Sequence, residues 1–364
     1  MLAGKKIDSI QFYSLLFLSR LFTTITFLEG LRGGIGGTDM VIGSVLSAVL
    51  LFISAMPVFL LFRRETGVNI LDIISVRSRA FSKIAAALYI LLFLYTSVEA
   101  GARFGLFAGE VIFPENNIMV FTLMVFALAV YAAYKGLEPL GRTGFILFWA
   151  VSAALLLLVL TLISKIDPLN FTPPFYNGPA PVIKSSFYSA AGTFEVCILS
   201  LLLPRVSGNA KKGFIWWVTG IGTAVTALMT VFVGVLGEFG NVKSFGFYSL
   251  AVLAEFSIFQ RLDALQAAVW ILLAFIKISF TLYILDYLIC YLFSKKRKYA
   301  YIIASAAATF IISSYISKNM SLFMLISNAL FVEIMYVVMA VVLPIFALLV
   351  NCRGGPCAHP ANRS

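Results

Sequence analysis

Residues 143–164 read TGFILFWAVSAALLLLVLTLIS, twenty-two positions without one charged side chain. An α-helix rises 1.5 Å per residue, so a run of this length crosses a hydrocarbon core of about 30 Å. Five more charge-free runs of similar length lie at 40–62, 116–134, 213–237, 299–317 and 334–352. Four further apolar segments, 9–31, 84–109, 185–204 and 264–294, carry charges inside them. Working outward, the 364-residue chain is 61% hydrophobic and only 12% charged. A soluble protein averages roughly 25% charged residues, and no globular core of this size hides such an apolar surplus. Soluble enzymes, nucleic-acid-binding modules and disulfide-stapled secreted domains are thereby excluded. The runs are apolar on every face, which also excludes the alternating strands of a membrane barrel. The expected class is an all-α polytopic membrane protein with ten transmembrane helices.

The net charge of +11 is read through its placement. With the N-terminus inside, eighteen Lys and Arg fall on the cytoplasmic side, among them Lys5, Lys6, Arg63, Arg64, Arg205 and Lys295 to Lys298. Six fall outside: Arg32, Lys165, Lys184, Lys243, Arg261 and Lys318. This bias obeys the positive-inside rule, and an odd span count spoils it. Both termini are expected in the cytoplasm. Lys5 and Lys6 before an apolar stretch imitate a secretory signal, but that stretch is too long, contains Arg20 and precedes further spans. It reads as span 1. The outward loops are 165–184, rich in proline, and 238–262, whose apolar patch from Phe245 to Phe259 suits either a short interfacial helix or a plain loop.

Residues 1–350 form one expected domain, and 351–364 a short cytoplasmic tail. In that tail Cys352 and Cys357 flank a Gly-Gly-Pro turn near His359, the sole histidine of the chain. Two thiols and one imidazole do not complete a zinc site, so neither metal nor cofactor is expected. There is no histidine pair, no Gly-x-Ser-x-Gly and no phosphate loop, so no enzyme constellation competes.

The informative signal is which spans accept charge. Arg20 lies in span 1, Glu99 and Arg103 in span 3, Glu195 in span 6, and Lys277 with Asp286 in span 8. A charge at bilayer depth costs about 2.5–3.5 kcal/mol on the gentler insertion scales, so each needs a partner or a wet cavity. Spans 1, 3, 6 and 8 form two pairs separated by five helices. That arrangement arises by chance about one time in twenty and hints at a five-plus-five repeat. The triplet Phe12-Tyr13-Ser14 recurs at Phe187-Tyr188-Ser189 but also at Phe247-Tyr248-Ser249, and chance explains it in a chain with 34 Phe.

Spacing supplies faces. Glu99 and Arg103 are four apart and share a helical stripe with Thr96; Lys277 and Thr281 share another. Span 6 reads Ser189-Ala190-Ala191-Gly192-Thr193-Phe194-Glu195. Small residues admit a close neighbour or a ligand, and glycine lets the helix open. Glu195 is expected to be buried and paired with Arg20 or Lys277. The opening is expected at Ala191, Gly192, Thr193 and Phe194, with hydroxyls from Thr23, Thr24, Thr96, Ser279 and Thr281.

Several stretches resemble the B subunits of GerA-type spore germinant receptors, a branch of the amino acid–polyamine–organocation transporter superfamily. Gly136-Leu137-Glu138-Pro139-Leu140-Gly141-Arg142 looks like that family's signature between spans 4 and 5. The proline-rich loop running through Phe187 and Gly192-Thr193-Phe194-Glu195 to Pro204 is similar to its span 6. Arg261-Leu262-Asp263-Ala264-Leu265, then Trp270 and Lys277, resembles its entry into span 8, and Ser19-Arg20-Leu21-Phe22-Thr23 fits span 1. The resemblance covers about 8–350. It implies a LeuT-type inverted repeat, with halves at about 8–165 and 184–350, in which spans 1 and 6 are discontinuous and spans 3 and 8 line the same site. It further implies A-type and C-type (lipoprotein) partner subunits in the inner membrane of a bacterial spore, and the sensing of a small germinant, often an amino acid. That the opening at Ala191 to Phe194 and the hydroxyls around it bind a ligand's carboxylate is likewise what the resemblance implies. The alternative is a proton- or ion-coupled amino acid transporter, since one fold serves both. A fixed ammonium at Lys277, standing where sodium sits in related folds, suits either.

Overall fold

A computed structural model describes residues 6–26, 37–64, 68–112, 118–176, 178–240, 245–254, 262–294 and 299–353. Its helices in chain order are α1 (Ser9–Thr26), α2 (Thr38–Arg64), α3 (Ile70–Arg77), α4 (Arg79–Phe107), α5 (Ile118–Lys135), α6 (Leu137–Leu162), α7 (Pro179–Ala191) and α8 (Glu195–Leu202). After these come α9 (Ala210–Gly240), α10 (Gly246–Leu253), α11 (Asp263–Leu292), α12 (Tyr299–Ile316), α13 (Met320–Ile326), α14 (Ala329–Tyr336) and α15 (Leu343–Arg353). Among the described residues, 8 helices are long and apolar enough to cross a membrane. The pair α7 and α8, bent by 40°, makes a ninth if taken as one broken span. The apolar runs of the sequence become helices because, in lipid, each backbone amide must find its partner within its own segment.

The bundle has a wrapped centre and a lipid-facing rim. In the most apolar stretch of α11, 78% of residues are buried inside the protein, against 22% in α6. Trp149 on α6 and Trp216 on α9 stand well exposed, as side chains whose solvent is lipid. Almost every residue of α1 is buried. That position explains why α1 tolerates Arg20 in its middle, whereas α6 carries no charge between Arg142 and Lys165. It packs against α6, α9 and α11.

Over its described residues span 1 shows no discontinuity, and residues 27–31 of the expected span lie outside the described set. The helix α1 runs unbroken from Ser9 to Thr26, with no glycine or proline between those positions. Its threonine hydroxyls donate to carbonyls one turn back, Thr24 to Arg20 at 3.3 Å and Thr26 to Phe22 at 2.6 Å. Span 6 breaks as expected, though it begins earlier, because Pro179 and Pro181 occupy the first turn of α7. There a proline's missing N–H goes unnoticed.

Span 10 and the segment between spans 2 and 3 correct the sequence reading, and the loop 238–262 takes its short-helix alternative. Span 10 does not begin at 334: the chain is already helical from Met320, breaks at Ser327–Asn328, restarts at Ala329 and passes through a π-helical turn at Val337–Val342. Asn319 and Asn328 cap α13 and α14 with their side-chain oxygens, and those caps outweigh the single charge of Glu333 that marked the run's edge. The loop 238–262 contains α10, whose Gly246, Phe247, Leu250 and Ala251 are buried. It packs on α6, α9 and α11 within the protein, and residues 255–261 lie outside the described set. Between spans 2 and 3, α3 is an unanticipated helix capped by Asn69. Finally, Ile7–Asp8 (β1) pairs in parallel with Val206–Ser207 (β2), joining the start of span 1 to the end of span 6. The tail from 354 onward, with Cys357 and His359, also lies outside the described residues, as does the Cys352 side chain.

Candidate functional site

The break in span 6 is a three-residue turn. The α7 helix closes with the Gly192 N–H on Tyr188 O and the Thr193 N–H on Ala190 O, both at 3.0 Å. The α8 helix opens with Val196 N–H on Thr193 O at 3.3 Å and Cys197 N–H on Phe194 O at 2.9 Å. No side chain caps α8. Among the described residues, the N–H groups of Phe194 and Glu195 make no backbone bond across the break. Gly192 has φ −63° and ψ −5°, a conformation open to any residue. Its value there is therefore its missing side chain.

Glu195, the first residue of α8, is fully buried. Of the two cations the sequence offered, Lys277 of α11 is the one in contact: its Nζ lies 2.6 Å from Glu195 Oε1. Ser19 Oγ of α1 donates to the same oxygen at 2.7 Å. Arg20, the next residue on α1, turns its Nη2 to the other side of the break, to Ser189 O at 2.9 Å and Ser189 Oγ at 3.2 Å. The guanidinium thus sits at the carbonyl end of α7, where the helix dipole favours positive charge. Two adjacent residues of the unbroken α1 therefore hold both sides of the broken span. Glu195 Oε2 is buried and accepts no hydrogen bond among the described residues. A carboxylate oxygen left this way is unfavourable unless a further donor reaches it.

The second ion pair follows its spacing. Arg103 Nη2 lies 2.6 Å from Glu99 Oε1 within α4. Its Nη1 donates to Thr23 O on α1 at 3.4 Å, and the guanidinium carbon is 5.9 Å from the centroid of the Phe323 ring on α13. Phe194 meets Tyr95 and Tyr336 edge-on at ring distances of 6.2 and 6.3 Å, which gives the break an aromatic wall.

The expected hydroxyls are all buried. Thr24, Thr96, Thr193, Ser279 and Thr281 each donate to a carbonyl of their own span one turn back. Ser279 is two residues from Lys277, about 200° around the helix, so it lies off the face that meets Glu195. Ser19, Ser189 and Tyr95 were not singled out by the sequence reading. A serine beside a buried arginine was the available signal for Ser19. Among the described residues, no three His, Cys, Asp or Glu side chains gather to hold a metal ion.

Comparison with known proteins places this geometry in context. Residues 6–321 match the family described as spore germination protein. The chain is 26% identical over 257 residues to the putative spore germination protein YfkT of Bacillus subtilis (strain 168), spanning 69% of this chain and 70% of that one. It is 28% identical over 154 residues to spore germination protein KB of the same organism, 40% of this chain and 41% of that one. The fold is similar to that of a Na+-coupled sialic acid symporter in a substrate-bound outward-open state, with TM-score 0.62, 12% identity and coverage of 95% and 91%. It is equally similar to Mhp1, a nucleobase-cation-symport-1 family transporter in a closed conformation with bromovinylhydantoin bound. There the TM-score is 0.64, identity 13% and coverage 98% and 95%.

Proposed function

This chain belongs to the spore germination protein family, and from that premise we propose that it is the membrane subunit of a nutrient germinant receptor. It binds a small germinant at the break in span 6 and passes the event to A-type and C-type partner subunits in the spore inner membrane. The observation that carries this reading is the break itself, gripped by Ser19, Arg20 and Lys277, with the N–H groups of Phe194 and Glu195 left over. A germinant carboxylate takes those N–H groups at the positive end of α8. Its ammonium meets Glu195 Oε2, and its side chain rests on Phe194, Tyr95 and Tyr336. An amino acid has this combination of groups. Ala191, Gly192 and Thr193 form the floor, with Thr23, Thr24, Thr96 and Thr281 nearby, and Ser279 has no part. Binding favours one of two conformations, and the partners read the shift. In this reading α1 is a tenth span, the repeat halves are about 8–165 and 184–350, and both termini are cytoplasmic.

One observation favours a second reading, an ion- or proton-coupled amino acid transporter: the fold is shared with two symporters. Lys277 then supplies the fixed positive charge that a bound cation supplies elsewhere. Accumulation of an amino acid by the reconstituted chain alone, without partner subunits, would establish that reading in place of the receptor.

The test of the receptor is Gly192→Val. Because Gly192 has an ordinary right-handed backbone, valine acts by bulk in the break, not by backbone strain. The variant should reach the membrane and assemble with its partners at wild-type level while spores lose their response to the nutrient it serves. Germination at the normal nutrient concentration would defeat the pocket assignment.

A further inference from the structure

A second cluster lies at the end of the bundle where lysine and arginine concentrate, away from the break. Arg205 closes the 3-10 turn that finishes span 6. Its Nη1 donates to Tyr283 Oη at 3.0 Å, and its guanidinium carbon is 4.5 Å from the centroid of the Tyr287 ring. Tyr283, Tyr287 and Tyr291 recur every fourth residue of α11 and so share a stripe. Tyr287 Oη accepts from Asn69 Nδ2 at 2.7 Å, and Tyr291 Oη is 2.7 Å from Ser82 Oγ on α4. Asp72 of α3 lies near enough to Tyr291 and Arg205 for both to act on its carboxyl.

The same stretch of span 6 is fastened to span 1. The β1–β2 pairing joins Ile7 to Val206 and Asp8 to Ser207. Ser207 Oγ donates to Ile7 O at 3.0 Å and Tyr13 Oη to Ala210 O at 2.8 Å. The feet of spans 1 and 6 are thus one piece, and Arg205 is a side chain through which that piece grips α11 and, through the tyrosines, α3 and α4. A partly exposed guanidinium would otherwise extend towards solvent.

Resting on the receptor reading and its topology, we propose that the Arg205–tyrosine cluster is a lock that keeps the central site shut towards the cytoplasm. Germinant binding works against this lock, so its strength sets the nutrient concentration at which the receptor fires. It also disfavours passage of the germinant through the membrane, which separates a sensor from a transporter on a shared fold. A ligand shifts an equilibrium only by its differential affinity for the two states, so weakening the lock lowers the concentration needed.

The experiment uses spores whose other nutrient receptors are deleted, titrated with an equimolar mixture of the twenty common amino acids. Tyr287→Leu removes the ring face under Arg205 and should lower the half-maximal concentration about tenfold. Tyr283→Phe removes one hydroxyl acceptor and should shift it by a smaller factor in the same direction. A requirement that is unchanged or higher in Tyr283→Phe spores, with the subunit at wild-type abundance, overturns the lock. Tyr283→Phe decides alone if Tyr287→Leu is depleted from the membrane. If spores lacking this chain respond to the mixture as its bearers do, the receptor reading falls and the lock falls with it. An unshifted titration in spores whose response does require the chain removes the lock only.

Discussion

Spans 1 and 6 were expected to play matching parts, yet over the described residues one is the continuous helix α1 and the other two helices with a turn between them. The difference lies in what each can afford to leave unpaired. In α1, every residue from Phe12 to Thr26 is buried, and helix continuity satisfies the backbone without help. At residues 192–194 the backbone bonds are rearranged, and side chains on α1 and α11 compensate from outside. Span 1 acts as a splint: Ser19 holds the start of α8, Arg20 the end of α7. A broken helix inside a bundle thus depends on an intact neighbour, and Ser19 and Arg20 of span 1 serve the break in span 6.

The sharpest way to test that dependence is to remove the cation on the far side. Lys277→Met leaves Glu195 as a buried carboxylate without its ammonium, a change of about 3–5 kcal/mol for a buried pair of this kind. Little folded protein should be recovered from membranes, as size-exclusion profiles in detergent would reveal. Adding Glu195→Gln should restore most of the recovery, because the uncompensated charge goes with it. Failure of the double variant to rescue would mean that the pair shapes the break through more than charge.

A smaller effect is expected on the splint itself. Ser19→Ala removes one hydrogen bond to a charged acceptor, worth about 1.5–3 kcal/mol, while α1 keeps its helix. Thermal unfolding in detergent should fall measurably, and the response to nutrient should need more germinant. An unchanged melting temperature would show that span 6 holds its bend alone.

The smallest effect belongs at the foot of span 6. Burial lifts the Asp72 carboxyl above its ordinary value, and the Tyr291 hydrogen bond and the Arg205 charge only partly oppose this. The sign is that of a raised acid: the stability it contributes is complete below the ordinary carboxylate value and disappears as pH rises through the folded one. At neutral pH the charged form is therefore disfavoured in the fold. Asp72→Asn should leave thermal stability at pH 7 unchanged or slightly higher. A clear loss would mean that the Asp72 charge supports Arg205 more than its burial opposes it.

Much of this molecule was legible without coordinates. Membrane residence, the apolar helices and the concentration of charge in spans 1, 3, 6 and 8 are sums over local residues, because transfer to lipid is nearly additive along a segment. The break at Gly192 was legible for a similar local reason, a run of small residues ending in an acid. The choice of Lys277 over Arg20 as the contact of Glu195 was not, since both carry the same charge and only the azimuth and approach of distant helices decide. The continuity of α1 was decided by its central burial, and the early start of span 10 by asparagine caps and packing against α7. The tyrosine stripe of α11 acquired meaning only when the turn after α8 brought Arg205 against it. Hydrophobicity is a property each segment carries with it, whereas a partner is a property of two segments that meet only in the folded chain.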